Sequence, residues 1–226
     1  MFISKIDLNP NRAGYLKLLC SPYRLHAAIE ASLPAEERHE TDEGRVLWRI
    51  DGLPGGAGVR LYVVSPDKPD LGSIARQAGD EDSSSWETKS YDRFLGQIRE
   101  GQRYRFRLKA NPVRKVAKDQ GRVPNPHVVG TLQGHVTKEH QLQWLLDRVE
   151  RHGFRVPTGE RGPEVSVVGS SREAFMRGNA QVTLTTALYD GIMEVIDADA
   201  LRHALTFGIG RAKGFGCGLL TIVPFR

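Results

Sequence analysis

"QRYRFRLKA", residues 102–110, alternates polar and apolar side chains without a break. Period two is the pattern of a strand with one buried face and one solvated face. Tyr104, Phe106, Leu108 and Ala110 fall on one side, and Arg103, Arg105, Arg107 and Lys109 on the other. Five earlier segments combine with it. "FISKIDL" (2–8) alternates in the same way, and Asn9-Pro10 ends it. "LLCSPYRLHAAIEASL" (18–33) predicts a helix, with Ser21 as N-cap and Pro22 at the first helical position. Its apolar stripe is Leu25, Ala28, Ile29 and Leu33, and Pro34 stops it. "RVLWRID" (45–51) and "GVRLYVV" (58–64) predict two strands joined by a turn rich in glycine and proline. "YDRFLGQIR" (91–99) predicts a short helix. With 102–110 as the closing strand, the order is β-α-β-β-α-β, that of a ferredoxin-like unit. The polar stretch from Ser65 to Ser90, which includes "GDEDSSSWE", reads as an exposed loop.

The second half repeats the pattern at similar size. "NPVRKVAKDQGRVPNP" (111–126) is basic and poor in apolar residues, and predicts a linker or basic loop. "TKEHQLQWLLDRVERHG" (137–153) predicts a helix capped by Thr137 and ended by Gly153. "EVSVVG", "QVTLTTALYDG", "IMEVI" and "CGLLTIVPF" predict strands, and "DADALRHALTFG" (197–208) a helix opening on an Asp cap. The expected class is α+β with two tandem ferredoxin-like domains: 1–112, a basic linker at 113–125, and 126–226.

Of 226 residues, 39 % are hydrophobic and 26 % charged, and mean hydropathy is −0.39, values of a globular rather than a disordered chain. A formal charge of +5 and a pI near 9.3 favour an anionic partner. The two cysteines, Cys20 and Cys217, form no CxxC pattern, which suits a reduced cytoplasmic protein. The opening "MFISKIDLNP" lacks the apolar run of a signal peptide, and no segment has the length of a membrane span, so no membrane partner is expected.

"GIGRAKGFGCGLLTI" (208–222) holds five glycines in eleven residues. It is no P-loop, since Lys213 is followed by Gly214 rather than Ser or Thr. It is no dinucleotide fingerprint either, because its order is helix, glycine loop, strand. It reads as a tight helix-to-strand connection, or as a backbone surface around Gly210 and Gly214 that RNA can approach, with Arg211 and Lys213 supplying charge. From Arg99 to Arg122 there are nine basic residues against two acidic ones. Arg103, Arg105, Arg107 and Lys109, extended by Arg114, Lys115, Lys118 and Arg122, read as a track for phosphates or as a solvated face. The segment 165–184 predicts a hairpin carrying Arg172 and Arg177 beside a Gly178-Asn179 turn. The histidines lack zinc-type spacing, no metal or cofactor is expected, and no serine-hydrolase motif is present.

Tyr23 and His26 are three apart on the predicted helix, hence on one face beside the apolar stripe. Two roles are open to them: packing at the core edge, or a shared reactive surface.

The start "MFISKIDLNP", the "PYRLH" helix, "GQRYRFRLKANP" and the glycine loop together resemble the CasE-type CRISPR-associated endoribonucleases, a branch of the repeat-associated RNA-processing superfamily. The resemblance spans the first strand to the last. It implies that Tyr23 and His26 are the catalytic pair. It also implies metal-independent cleavage of CRISPR precursor RNA at the base of the repeat stem-loop, by attack of a ribose 2′-OH on the adjacent phosphorus. The products are then a 2′,3′-cyclic phosphate and a 5′-hydroxyl. His26, with an ordinary pKa near 6.5, suits general acid or base work; Tyr23 suits positioning. Arg24, Lys115 and Lys118 are candidates to stabilise the pentacoordinate phosphorus. The resemblance further implies retention of the product within a Cascade-type complex. The alternative is a non-catalytic RNA-binding scaffold subunit of the same kind of ribonucleoprotein.

Overall fold

The computed structural model describes residues 1–34, 41–79, 86–118 and 126–225. Its strands are β1 (Phe2–Leu8), β2 (Leu47–Gly52), β3 (Val59–Ser65), β4 (Trp86–Ser90), β5 (Arg103–Ala110), β6 (Val113–Lys115), β7 (Leu132–Gly134), β8 (Phe154–Arg155), β9 (Thr158–Gly159), β10 (Gly162–Pro163), β11 (Val165–Arg177), β12 (Ala180–Val195) and β13 (Leu220–Pro224). Its helices are α1 (Ala13–Leu19), α2 (Pro22–Glu30), α3 (Gly72–Ala78), α4 (Asp92–Leu95), α5 (Lys138–Leu146) and α6 (Ala198–Phe207).

The first sheet has the order β2-β3-β1-β4, with every neighbouring pair antiparallel. The second has the order β11-β12-β5-β13, again antiparallel throughout, with β8 added on β12. Read as β1-(α1, α2)-β2-β3-α3-β4 and β5-α5-β11-β12-α6-β13, the two halves share one βαββαβ connectivity and one strand order. The tandem ferredoxin-like architecture therefore holds, but its parts come from different segments than the sequence suggested. The strand at 102–110 does not close the first sheet. It opens the second, hydrogen-bonded between β12 and β13. The first sheet's last helix and strand are α3 and β4, both inside the stretch read as a loop. The sheets thus divide the chain between Ser90 and Arg103, not at 112. The basic stretch after β5 is an insertion within the second half, and its described part includes β6, which pairs with β7 further along the chain. Period-two alternation identifies a strand but not its neighbour, which is why the misplacement occurred.

Each half has a core. Ile6, Leu8, Leu25, Ile29, Leu61, Val63 and Ile74 fill the first, while Phe106, Leu108, Phe154, Tyr189, Leu201 and Leu205 belong to the second. At roughly 1.5–3 kcal/mol per buried large aliphatic or aromatic side chain, these clusters dominate the favourable side of folding. Leu25 and Ile29 are completely buried and fasten α2 to the first sheet by one stripe.

The halves are joined by Arg49 of β2, which is 1 % exposed. Its guanidinium donates to both Asp51 carboxylate oxygens (2.8 and 2.9 Å), to the carbonyls of Arg107 and Leu219 (3.0 and 3.1 Å), and to Thr221 Oγ1 (2.8 Å). Five bonds match the five N–H donors of an arginine, so the buried charge is fully satisfied. Three of them cross to the second sheet. Beside this clamp lies a cleft of about 630 Å³, lined in part by Ile3, Tyr62, Arg105, Arg107 and Asp190.

Candidate active site

Pro22 at the first helical position presets the backbone of α2. Ser21 precedes it in extended conformation, but its side chain makes no capping bond, contrary to the expectation. With Leu25 and Ile29 turned into the core, Tyr23 is 43 % exposed. His26 is half-buried, and Glu30 Oε1, one turn on, lies 3.2 Å from its Nε2. The carboxylate biases the ring's orientation.

The other side of His26 meets the glycine loop. A Cβ placed on Gly214 would lie 3.0 Å from His26 Nε2 and 3.2 Å from Cδ2. The same close packing recurs along the loop. Cβ atoms would meet Leu47 at 2.8 Å from Gly208, Trp144 at 3.1 Å from Gly210, and Trp48 at 2.7 Å from Gly216. Gly208, Gly210, Gly216 and Gly218 also adopt positive φ, between 75° and 91°, which glycine alone adopts readily. The glycines are thus a packing requirement. They let a loop of the second half close on Leu47, Trp48 and His26 of the first. Of the two sequence readings, the tight connection accounts for the glycines. Phe215 packs at a tilt against Phe175 of β11, with 4.9 Å between centroids, which ties the long hairpin to the same corner. Cys217, inside the loop, is fully buried and its thiol is pushed up to about 12 by desolvation, so it supplies no thiolate near neutrality.

The four cations of β5 do share a face, as alternation required, but three of them are engaged by carboxylates. Arg107 makes a bidentate pair with Asp190 (2.7 and 2.6 Å), Lys109 pairs with Glu173 (2.7 Å), and Arg103 with Glu164 (3.0 Å). Arg105 lies over the Phe225 ring at 5.7 Å. Three of the four cations on this face are thus paired within the protein itself. Arg114, Lys115 and Lys118 are exposed. Arg122 lies outside the described residues.

A family model described as "CRISPR associated protein" matches residues 1–224. The chain belongs to this family. The CRISPR-associated endoribonuclease Cse3 of Thermus thermophilus is 28 % identical over 232 residues, covering 99 % of this chain and 100 % of the relative. A structure of CRISPR endoribonuclease Cse3 bound to a 19-nucleotide RNA superposes with a TM-score of 0.81 at 26 % identity, over 99 % of this chain and 100 % of that one. Thermus thermophilus Cse3 bound to an RNA representing a pre-cleavage complex gives 0.79 at 26 % identity, over 99 % and 98 % of the two chains.

In this CRISPR-associated protein the elements packed on α2 include α1, α3, β11 and the turn Lys213–Phe215. Arg24 is exposed on the helix itself, and Lys213 stands next to Gly214. Lys115, on β6, pairs with β7 instead. Arg172 and Arg177, both exposed on β11, differ by an odd number of positions and so lie on opposite faces of the hairpin. Arg211 is exposed at the start of the loop. Sequence reasoning missed Glu30, although its i+4 spacing from His26 was available. It also missed Trp48, whose ring backs Gly216 from the far end of the chain and leaves no local signal.

Proposed function

We propose that the chain is an endoribonuclease that processes CRISPR precursor RNA at the base of the repeat stem-loop and keeps the processed RNA as a subunit of a Cascade-type complex in the cytoplasm. The observation that carries this reading is the placement of His26: half-exposed on α2, oriented by Glu30, and backed by Gly214 of the other half. In the mechanism, the ribose 2′-OH attacks the adjacent phosphorus and the 5′-oxygen leaves. His26 transfers one of the two protons involved, and Tyr23 holds the ribose or phosphate in line. Arg24 meets the charge that accumulates on the non-bridging oxygens. Family membership, the RNA-bound structures of the Cse3 relative and the exposure of Tyr23 support the assignment. His26→Ala tests it: cleavage of the repeat RNA found beside the gene should fall by at least 10²-fold, within the ~10²–10⁴-fold range of general acid–base catalysis, while RNA affinity stays within threefold. Cleavage at the wild-type rate would overturn the role of His26.

A further inference from the structure

We propose that Arg148 and Arg151, at the C-terminal end of the α5 segment, join Arg211 and Lys213 of the glycine loop in a second phosphate-binding patch, which grips RNA on the flank of the loop away from Tyr23. The inference rests on the ribonuclease reading above and adds two residues that no motif singled out.

Trp144 of α5 organises the patch. One part of its indole receives Gly210, whose Cβ would lie 3.1 Å from the ring. The Arg148 guanidinium stacks over the ring at 4.5 Å and donates to the Trp144 carbonyl at 2.7 Å. The arginine is thereby held beside the loop that continues into Arg211, Lys213 and Gly214, the last in contact with His26. Arg151 is exposed one turn further on. A helix C-terminus welcomes one cation through its dipole, and that accounts for Arg148. It does not account for three more positive residues in the same place.

Nor do acidic side chains compensate the three arginines. Among the described residues, no carboxylate lies within 4 Å of a side-chain nitrogen of Arg148, Arg151 or Arg211. Asp147, whose charge does reach Arg148, accepts a hydrogen bond from Gln143 at 2.6 Å. His152, between these elements, reports the resulting field. Burial first, then Arg151, His203, Lys213 and Arg148, push its imidazole down to about 4. The contrast with β5 is informative. There each of three cations has its own carboxylate; here the charge of the arginines is left open, as an anion site requires. Polyanionic backbone is the ligand that suits several spaced guanidinium groups.

The test measures affinity for the repeat stem-loop RNA with its single-stranded flanks, blocked by a 2′-deoxy group at the scissile nucleotide, across a series of KCl concentrations. Arg148→Gln/Arg151→Gln should lower the slope of log affinity against log salt by about 1.4–1.8, from ~0.7–0.9 per lost phosphate contact. Arg151→Gln alone, at an exposed position where folding is not at stake, should lower it by about half that. Wild-type slopes in both variants would overturn the patch while leaving the ribonuclease reading intact. Failure of the wild-type protein to bind the RNA at all would end both.

Discussion

Gly214→Ala is the sharpest perturbation of the corner where the two halves meet. The residue is not in the left-handed region, so alanine brings no backbone strain of its own. Its methyl would stand 3.0 Å from His26 Nε2 and 3.2 Å from Cδ2, where carbon contacts normally settle near 3.5–4.0 Å. The neighbouring chain is held by Trp48 and Leu47, whereas the imidazole can rotate, so the ring gives way by roughly 0.5 Å. A displacement of about 1 Å in a catalytic group costs on the order of 10²-fold. Half that distance therefore predicts about a tenfold loss, or ~1.4 kcal/mol of transition-state stabilisation. Single-turnover cleavage with protein in excess reads this directly, and RNA affinity measured in parallel should change less than twofold. In a His26→Ala background the same methyl should have no further effect, because the group it displaces is gone. Cleavage at the wild-type rate, or an equal loss with and without His26, would refute the reasoning.

Asp51→Ala strips the Arg49 guanidinium of its carboxylate inside the clamp between the halves; removing one partner of a buried pair costs about 3–5 kcal/mol, to be read as a fall in denaturant midpoint, and a loss below about 1 kcal/mol would contradict the clamp. His152 is neutral when folded, with its pKa held at about 4 by burial and the cations around it, against ~6.5 unfolded. Its contribution to stability is thus complete above pH 6.5 and is lost as pH falls from there towards 4. His152→Gln should show a smaller drop in Tm between pH 7 and 4.5 than the wild type, and identical drops would remove His152 from the account. Glu30→Gln removes the carboxylate that orients His26, so the single-turnover cleavage rate should fall while RNA affinity stays unchanged; an unchanged rate would show that the Glu30 contact does not persist in the reactive complex.

The elements that sequence patterning found and those it lost differ in how local their determinants are. Helix α2 was legible because Pro22, the Leu25–Ile29 stripe and the exposed Tyr23 lie within nine residues. Asp197 was correctly read as a cap, and its carboxylate does accept from the backbone N–H groups of Asp199 and Ala200. Thr137 likewise accepts from His140. The segment 65–90 was misread for physical reasons. Helix α3 buries Ile74 with small residues, Gly72, Ala75 and Ala78, and so shows little apolar periodicity. Strand β4 is an edge strand without a fully buried side chain, and its composition resembles a loop. Strand β5 was recognised as a strand but given the wrong sheet, because Tyr104, Phe106 and Leu108 would suit either core.

The site divides in the same way. The spacing of Tyr23 and His26 placed both on one face; the structure leaves Tyr23 exposed and His26 only partly so. The neutralisation of Arg107 by Asp190, 83 residues away, left no trace in the local pattern. Nor did the contact between Gly214 and His26, which crosses from one half to the other. Five glycines in the loop announced an unusual backbone; only the fold identified the indole, the leucine and the imidazole that require it.

The central claim is that the RNA severs itself through its own 2′-OH while His26 moves a proton. It is tested most directly with repeat RNA carrying a single 2′-deoxy substitution at the nucleotide 5′ to the scissile linkage. The substituted RNA should bind with wild-type affinity and remain intact, while the all-ribose RNA is cut to a 2′,3′-cyclic phosphate and a 5′-hydroxyl. Cleavage of the substituted RNA at the normal rate and position would contradict it.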